Sequence, residues 1–129
     1  MIGKAIYGKL SATTAVTAIT STRIYPDMAT QDATYPFIVY SVADTAPTDI
    51  KDGASPLDIV SVGLMIYADS YAVAIDLAEK VRAALDRMSG TYDGVNVQSC
   101  KFNGQSSGSM HLDKHIFIVE QEYQFRQNR

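Results

Sequence analysis

Three groups of residues in this chain have types and spacings that chemistry could use. His111, Asp113 and His115 stand at alternate positions in His-Leu-Asp-Lys-His, so an extended backbone would put two imidazoles and a carboxylate on one face. Those are ligand types for a transition metal. The chain has only these two histidines, and no cysteine or glutamate cluster joins them locally, so a solvated strand end is the simpler reading. Cys100, the sole cysteine, would need a neighbouring base and an orienting group to act as a nucleophile. In an alternating strand it reads instead as a small buried hydrophobe. The third group is acidic: Asp44, Asp49, Asp52 and Asp58, with Lys51 as the only base between them. Their spacing departs from a calcium-binding loop, which leaves a solvated surface segment.

Nucleotide chemistry lacks its usual marks, since neither a P-loop nor a G-x-G-x-x-G string occurs. Eight tyrosines without a tryptophan raise the question of base stacking. Tyr40, Tyr67 and Tyr123 lie in apolar patterns, however, where core packing with a hydroxyl at the edge explains them. No chemistry is legible here.

The elements that would position these groups follow from periodicity. Ile2, Ile6 and Leu10 recur every fourth residue, with Ala5 and Tyr7 beside them, which predicts an N-terminal helix. Ser11 is placed to cap a second short helix through Val16 and Ile19. Arg23-Ile24-Tyr25-Pro26 reads as a very short strand, closed by a proline that cannot donate to a ladder. Phe37 to Val42 is β-branched and aromatic on both faces, as a strand inside a sheet would be. Residues 44–58 hold Pro47, Gly53 and Pro56 among the carboxylates, which predicts an exposed hairpin loop.

A strand over residues 57–68 follows, with Val60, Val62, Leu64 and Ile66 on one apolar face. Ile59, Met65 and Tyr67 sit on the other, mixed face. Residues 70–88 form the clearest helix, capped by Asp69 or Ser70 and closed near Gly90. Its buried stripe is Ala74, Leu77, Ala78, Val81, Leu85 and Met88, and Asp76–Lys80 and Arg82–Asp86 are its outward pairs. Asp93-Gly94 signals a turn into a strand over residues 95–102, and residues 103–109 read as a flexible link. A last strand follows, with Phe117, Val119, Tyr123 and Phe125 inward and Glu120, Glu122 and Gln124 outward. The expectation is one α+β domain of order α-β-β-β-α-β-β, its sheet mostly antiparallel or mixed, with helices packed on one side.

Composition agrees and excludes several classes. The 129 residues are 47% apolar and 19% charged, the balance of a globular domain. The longest apolar run, residues 62–68, is far short of the ~20 needed to span a bilayer, and the N-terminus carries no signal-peptide core. A net charge of −3 leaves no basic excess for binding held by phosphate neutralisation. One cysteine fits a reducing compartment.

The linear order of these segments resembles a known family. Ala5-Ile6-Tyr7-Gly8-Lys9-Leu10-Ser11-Ala12, then Val16-Thr17-Ala18-Ile19 and Arg23-Ile24-Tyr25-Pro26, is similar to the N-terminus of tail completion (tail terminator) proteins of long-tailed phages. Tyr35-Pro36-Phe37-Ile38-Val39-Tyr40 resembles that family's next strand. Ile66-Tyr67-Ala68-Asp69-Ser70-Tyr71, running into Ala78-Glu79-Lys80-Val81-Arg82-Ala83-Ala84-Leu85-Asp86, resembles its strand and central helix.

The resemblance implies a hexameric ring that caps the head-proximal end of the tail tube, stops its polymerisation and offers a surface to the head-side connector protein. It implies partners in copies of itself, the tail tube protein and the connector, with DNA crossing the lumen unbound, and no membrane. It implies no bond chemistry and no cofactor, in the virion once assembled and in the host cytoplasm before. A head–tail connector adaptor is the alternative, and a small metal-binding or enzymatic domain the distant one. A ring needs one heterologous contact repeated until it closes. Leftover apolar surface and an unpaired edge make Arg23, Tyr25, Ile59, Met65 and Tyr67 the candidates for it. Asp44, Asp49, Lys51, Asp52 and Asp58 are the candidates for a lumen-facing or partner-facing surface.

Overall fold

A computed structural model describes residues 2–28, 34–50, 53–92, 94–111 and 115–128, with side chains at all of these except 47–50, 53–56, 110 and 111. The chain runs α1 (Ile2–Ala12), α2 (Thr14–Thr20), β1 (Ile24–Pro26), β2 (Phe37–Ile50), β3 (Gly53–Ala68), α3 (Tyr71–Leu85), β4 (Gly90–Tyr92), β5 (Val95–His111) and β6 (His115–Asn128). Among the described residues the strands make one sheet in the order β1-β2-β3-β6-β5-β4. Only β1 and β2 run parallel; every other pair is antiparallel. The α+β class and the mixed sheet are as expected.

Helices cover one face. α1 packs against β2, β4 and β5, while α3 lies on β3 and β6. Ile2, Ala5, Ile6 and Leu10 point inward from α1, and Ala74, Leu77, Ala78, Val81 and Leu85 from α3. They meet Val60, Val62, Leu64 and Ile66 of β3 and Val119, Tyr123 and Phe125 of β6 in one core. Met88 and Cys100 close it at one end. No helix among the described residues is long and apolar enough to cross a membrane.

Several expectations need correction. The second helix is capped by Thr13, not Ser11, and the Thr13 hydroxyl donates back to the Lys9 carbonyl at 2.7 Å. α3 stops at Leu85, and the left-handed residue beyond it is Arg87 (φ 63°) rather than Gly90, which lies inside β4. Of the two outward pairs, Lys80 and Asp76 meet at 3.0 Å, but among the described residues Arg82 and Asp86 make no ion pair. Arg82 lies over the Phe102 ring at 3.9 Å, and Asp86 accepts the Phe102 N–H at 3.1 Å. Both contacts tie the end of α3 to β5.

The larger corrections concern the two polar stretches. Residues 44–50 and 53–58 are not a loop: β2 and β3 stay paired from Phe37–Tyr67 down to Ile50–Gly53, with register shifts after Val42 and Pro47, and residues 51 and 52 lie outside the described residues. Residues 103–109 are not a link either, because each of Gly104 to Ser109 has a partner on β6. Backbone pairing does not need apolar side chains when the partner strand is already fixed by its core face. Each hairpin outruns its neighbours. β3 loses β6 beyond Leu57–Asn128, so residues 47–50 and 53–56 stand out as a two-stranded arm. At the other end the β5–β6 hairpin runs past Ala68–Phe117 to His111–His115.

Candidate functional site

Because strand side chains alternate, the face opposite the helices carries the odd residues of β3 and their cross-strand partners. Tyr25 pairs with Val39, Val39 with Met65, and Phe37 with Tyr67, so these five side chains share that helix-free face. Their rings are in contact. Phe37 stacks on Tyr67 at 4.8 Å between centroids and on Tyr35 at 5.2 Å, and Tyr25 meets Phe37 edge-on at 6.0 Å. The Tyr67 hydroxyl donates to the Met65 sulfur at 3.6 Å. Beside them opens a hollow of about 310 Å³, which Asp27 and Met28 also line, and Met28 is 77% exposed. Burial, then Tyr35 and Glu120, raises the Tyr67 phenol above its ordinary value, so it stays a neutral donor well into alkaline conditions. The patch offers contact area and no reacting group.

The same face changes character on β6 and β5. Glu120 and Glu122 are exposed there, and Gly104, Gln105, Ser106, Glu120 and Glu122 line a second, polar hollow. One face therefore has an aromatic half and an acidic, small-residue half.

The proposed contact residues divide accordingly. Tyr25, Met65 and Tyr67 come together in the patch. Ile59 shares the face but sits six positions down β3 from Met65, roughly 20 Å away, opposite Arg126. Arg23 is spent internally: its Nε donates to the Pro36 carbonyl at 2.9 Å and a terminal nitrogen to the Ile19 carbonyl at 3.2 Å. Phe37 and Val39 complete the patch and were not among the expected residues. Their strand was read as apolar on both faces, which hides that one face has no helix over it.

Of the acidic group, Asp44 is exposed on the helix-free face, opposite Ser61. Asp58 is half-buried and pairs with Pro47 and Gln127 on the other side. The backbone of Asp49 pairs with Ala54 in the arm, and Lys51 and Asp52 lie outside the described residues. The backbones of residues 111 and 115 pair across the β5–β6 hairpin rather than lying along one extended strand, Asp113 lies outside the described residues, and the His115 ring stacks near Phe117 at 6.1 Å. Among the described residues, no three His, Cys, Asp or Glu side chains gather as metal ligands.

Cys100 is 3% exposed, and burial with Asp86 nearby pushes its thiol up to about 12, so it holds no thiolate at neutral pH. One serine string escaped the sequence reading: Gly104-Gln105-Ser106-Ser107-Gly108 fits G-x-S-x-G. It lies in mid-strand in β5, whereas a nucleophile of that kind needs a sharp strand-to-helix turn. Sequence reasoning also missed Gln121, wholly buried in β6 on the core face. Its amide nitrogen donates to the Ala78 carbonyl and to Gln105 Oε1, both at 2.9 Å, and its oxygen accepts the Tyr123 hydroxyl at 2.8 Å. That network pins α3 to the sheet, and every member is satisfied.

A small α+β domain with a mixed sheet and helices on one face is what the sequence resemblance leads one to expect. A family profile described as Tail completion protein gp17 matches residues 4–126, nearly the whole chain. The chain belongs to the tail completion protein gp17 family. It is a structural protein of the phage tail and of virion assembly. No curated protein sequence matches it. Among solved structures it is similar to a chain from the virion of a native gene transfer agent (GTA) particle, at a TM-score of 0.78 and 17% identity, over 97% of this chain and 92% of that one. At that identity the likeness speaks to the fold, which the two share.

Proposed function

We propose that this tail completion protein closes the head-proximal end of the tail tube as a ring, hexameric in its family's pattern, halts tube growth and presents the joining surface for the head-side connector. The family match over residues 4–126 carries this reading. The aromatic patch supports it, because the exposed Met28 and the half-buried Met65 and Tyr67 line an apolar hollow, floored by Phe37, that a second chain can fill. The likeness to a chain of a virion particle points the same way.

The task is mechanical and non-enzymatic. Copies of this chain, the tube protein and the connector are its partners, the virion tail is its destination, and the host cytoplasm is where it assembles. DNA crosses the lumen without being held, in keeping with a net charge of −3 and with Asp44, Glu120 and Glu122 exposed on the helix-free face.

Tyr25, Met65 and Tyr67, together with Phe37, form the contact between copies. The arm at residues 47–56, with Asp44 and Asp58 at its base, is the surface offered to the tube or the connector. The arm stands clear of the core, so its removal should spare the fold. Deleting residues 47–56 and closing the strands with an Asn-Gly turn is expected to leave the unfolding midpoint near that of the intact protein. Joining of heads to tails should fail, with free heads and free tails accumulating. Infectious particles at normal yield from the shortened protein would count against the arm as a joining surface. Capped but unjoined tails would place the arm's partner on the connector side, and tubes of unregulated length would place it on the tube side.

A further inference from the structure

Both outer edges of the sheet are only half covered. β1 occupies β2 at residues 38–40, where the Ile38 N–H donates to the Arg23 carbonyl and the Tyr40 carbonyl accepts the Asp27 N–H. Past Tyr40, residues 41–45 are exposed, and among the described residues nothing bonds their outer edge. β4 likewise occupies β5 only at residues 95–97, and the turn after α3 takes the Cys100 carbonyl and the Phe102 N–H. Residues 105–109 are exposed beyond it. Backbone groups point outward at alternate residues, and each strand shifts phase at its bulge, after Val42 and after Phe102. The outward N–H and C=O groups are therefore those of Val42 and Thr45 on one edge, and of Gln105, Ser107 and Ser109 on the other.

Such edges are normally blunted with lysine or proline. Neither residues 41–46 nor 103–109 contain Lys, Arg or Pro, and the second stretch has no charge at all. Resting on the ring reading above, we propose that one copy pairs the open edge of β2 with the open edge of β5 in the next copy, so that the sheets join into one closed antiparallel wall.

Direction and offset both fit. β2, β3, β6 and β5 alternate in direction, so identical copies set side by side place β2 antiparallel to the neighbour's β5. The two open edges are not level: residues 41–46 lie beside Gly63 to Ile59, whereas residues 104–109 lie level with Gly63 to Ala68. A rise of ~3.3 Å per residue and a strand spacing of ~4.8 Å make that about 15 Å of stagger across about 19 Å of sheet. The resulting tilt is about 38°, inside the roughly 35–45° that a closed sheet requires of its strands. A flat, level junction would not close. The same stagger sets the backbone of residues 110 and 111 in one copy beside β1 and the aromatic patch of the next, so edge and patch serve one heterologous contact.

Hydrogen exchange tests the pairing on the unaltered protein, comparing the free chain with the chain assembled on isolated tail tubes. The amides of Val42, Thr45, Gln105, Ser107 and Ser109 should exchange quickly in the free chain and slow by about tenfold or more on assembly. Ser107→Pro removes an outward donor without touching a bond to β6, and should keep the fold while weakening assembly about tenfold or more. Rings whose edge amides exchange as fast as in the free chain overturn the edge pairing and leave the ring reading standing. Single copies at the tail end overturn both.

Discussion

Tyr67→Lys should leave a folded protein that no longer assembles on tail tubes. Tyr67 lies in the patch, stacked on Phe37 at 4.8 Å, and is only partly buried in the isolated chain. Losing the ring pair costs the fold about 0.5–1.5 kcal/mol, while the lysine stem still covers part of Phe37 and its ammonium reaches solvent. In the contact that freedom is gone. An uncompensated charge shut into an apolar interface costs on the order of 3–5 kcal/mol, which is two orders of magnitude or more in association. Tyr67→Phe, which keeps the ring, is expected to assemble and join heads normally. The checks are an unfolding curve for each variant and a count of capped tails by electron microscopy. A lysine variant that caps tails as well as the parent would remove the patch from the contact.

The second large effect is on stability. Leu77 is wholly buried in α3, in the stripe that faces β3 and β6. Leu77→Ala should cost about 2–5 kcal/mol through lost transfer energy and the cavity left behind. For a domain of this size the midpoint of thermal unfolding then falls by at least about 6 °C. The substitution lies on the opposite side of the sheet from the aromatic patch, so below the new midpoint the variant should still cap tails. A midpoint that hardly moves would mean that α3 contributes little to the core.

How much of this was readable in advance depended on which interaction fixed each segment. The stripes of α1 and α3 and the even face of β3 were legible because burial imposes a period, and the period is written in Ile2, Ile6, Leu10 and in Val60, Val62, Leu64, Ile66. Residues 44–58 and 103–109 were misread because their pairing is carried by backbone groups, while their Asp, Gly, Pro and Ser side chains carry loop signals. β4, at three residues, is too short to show any period. Gln121 was invisible for a different reason. A glutamine at a core position is specified by partners distant in the chain, Ala78 and Gln105, and no local pattern announces them.

The candidate site was half legible. Met65 and Tyr67 followed from the second face of β3, and Tyr25 from its short edge strand. Phe37 and Val39 required knowing which face the helices leave open. Arg23 stands apart from the patch because its guanidinium bonds run to two main-chain carbonyls, a use that residue type alone does not reveal.

Repetition of one contact around a closed ring fixes the number of copies at the tail end. Isolated tails imaged by electron cryomicroscopy should carry a single closed ring of this chain at the head-proximal end, with adjacent sheets continuous across each junction. One copy per tail, or copies spread along the length of the tube, would contradict it.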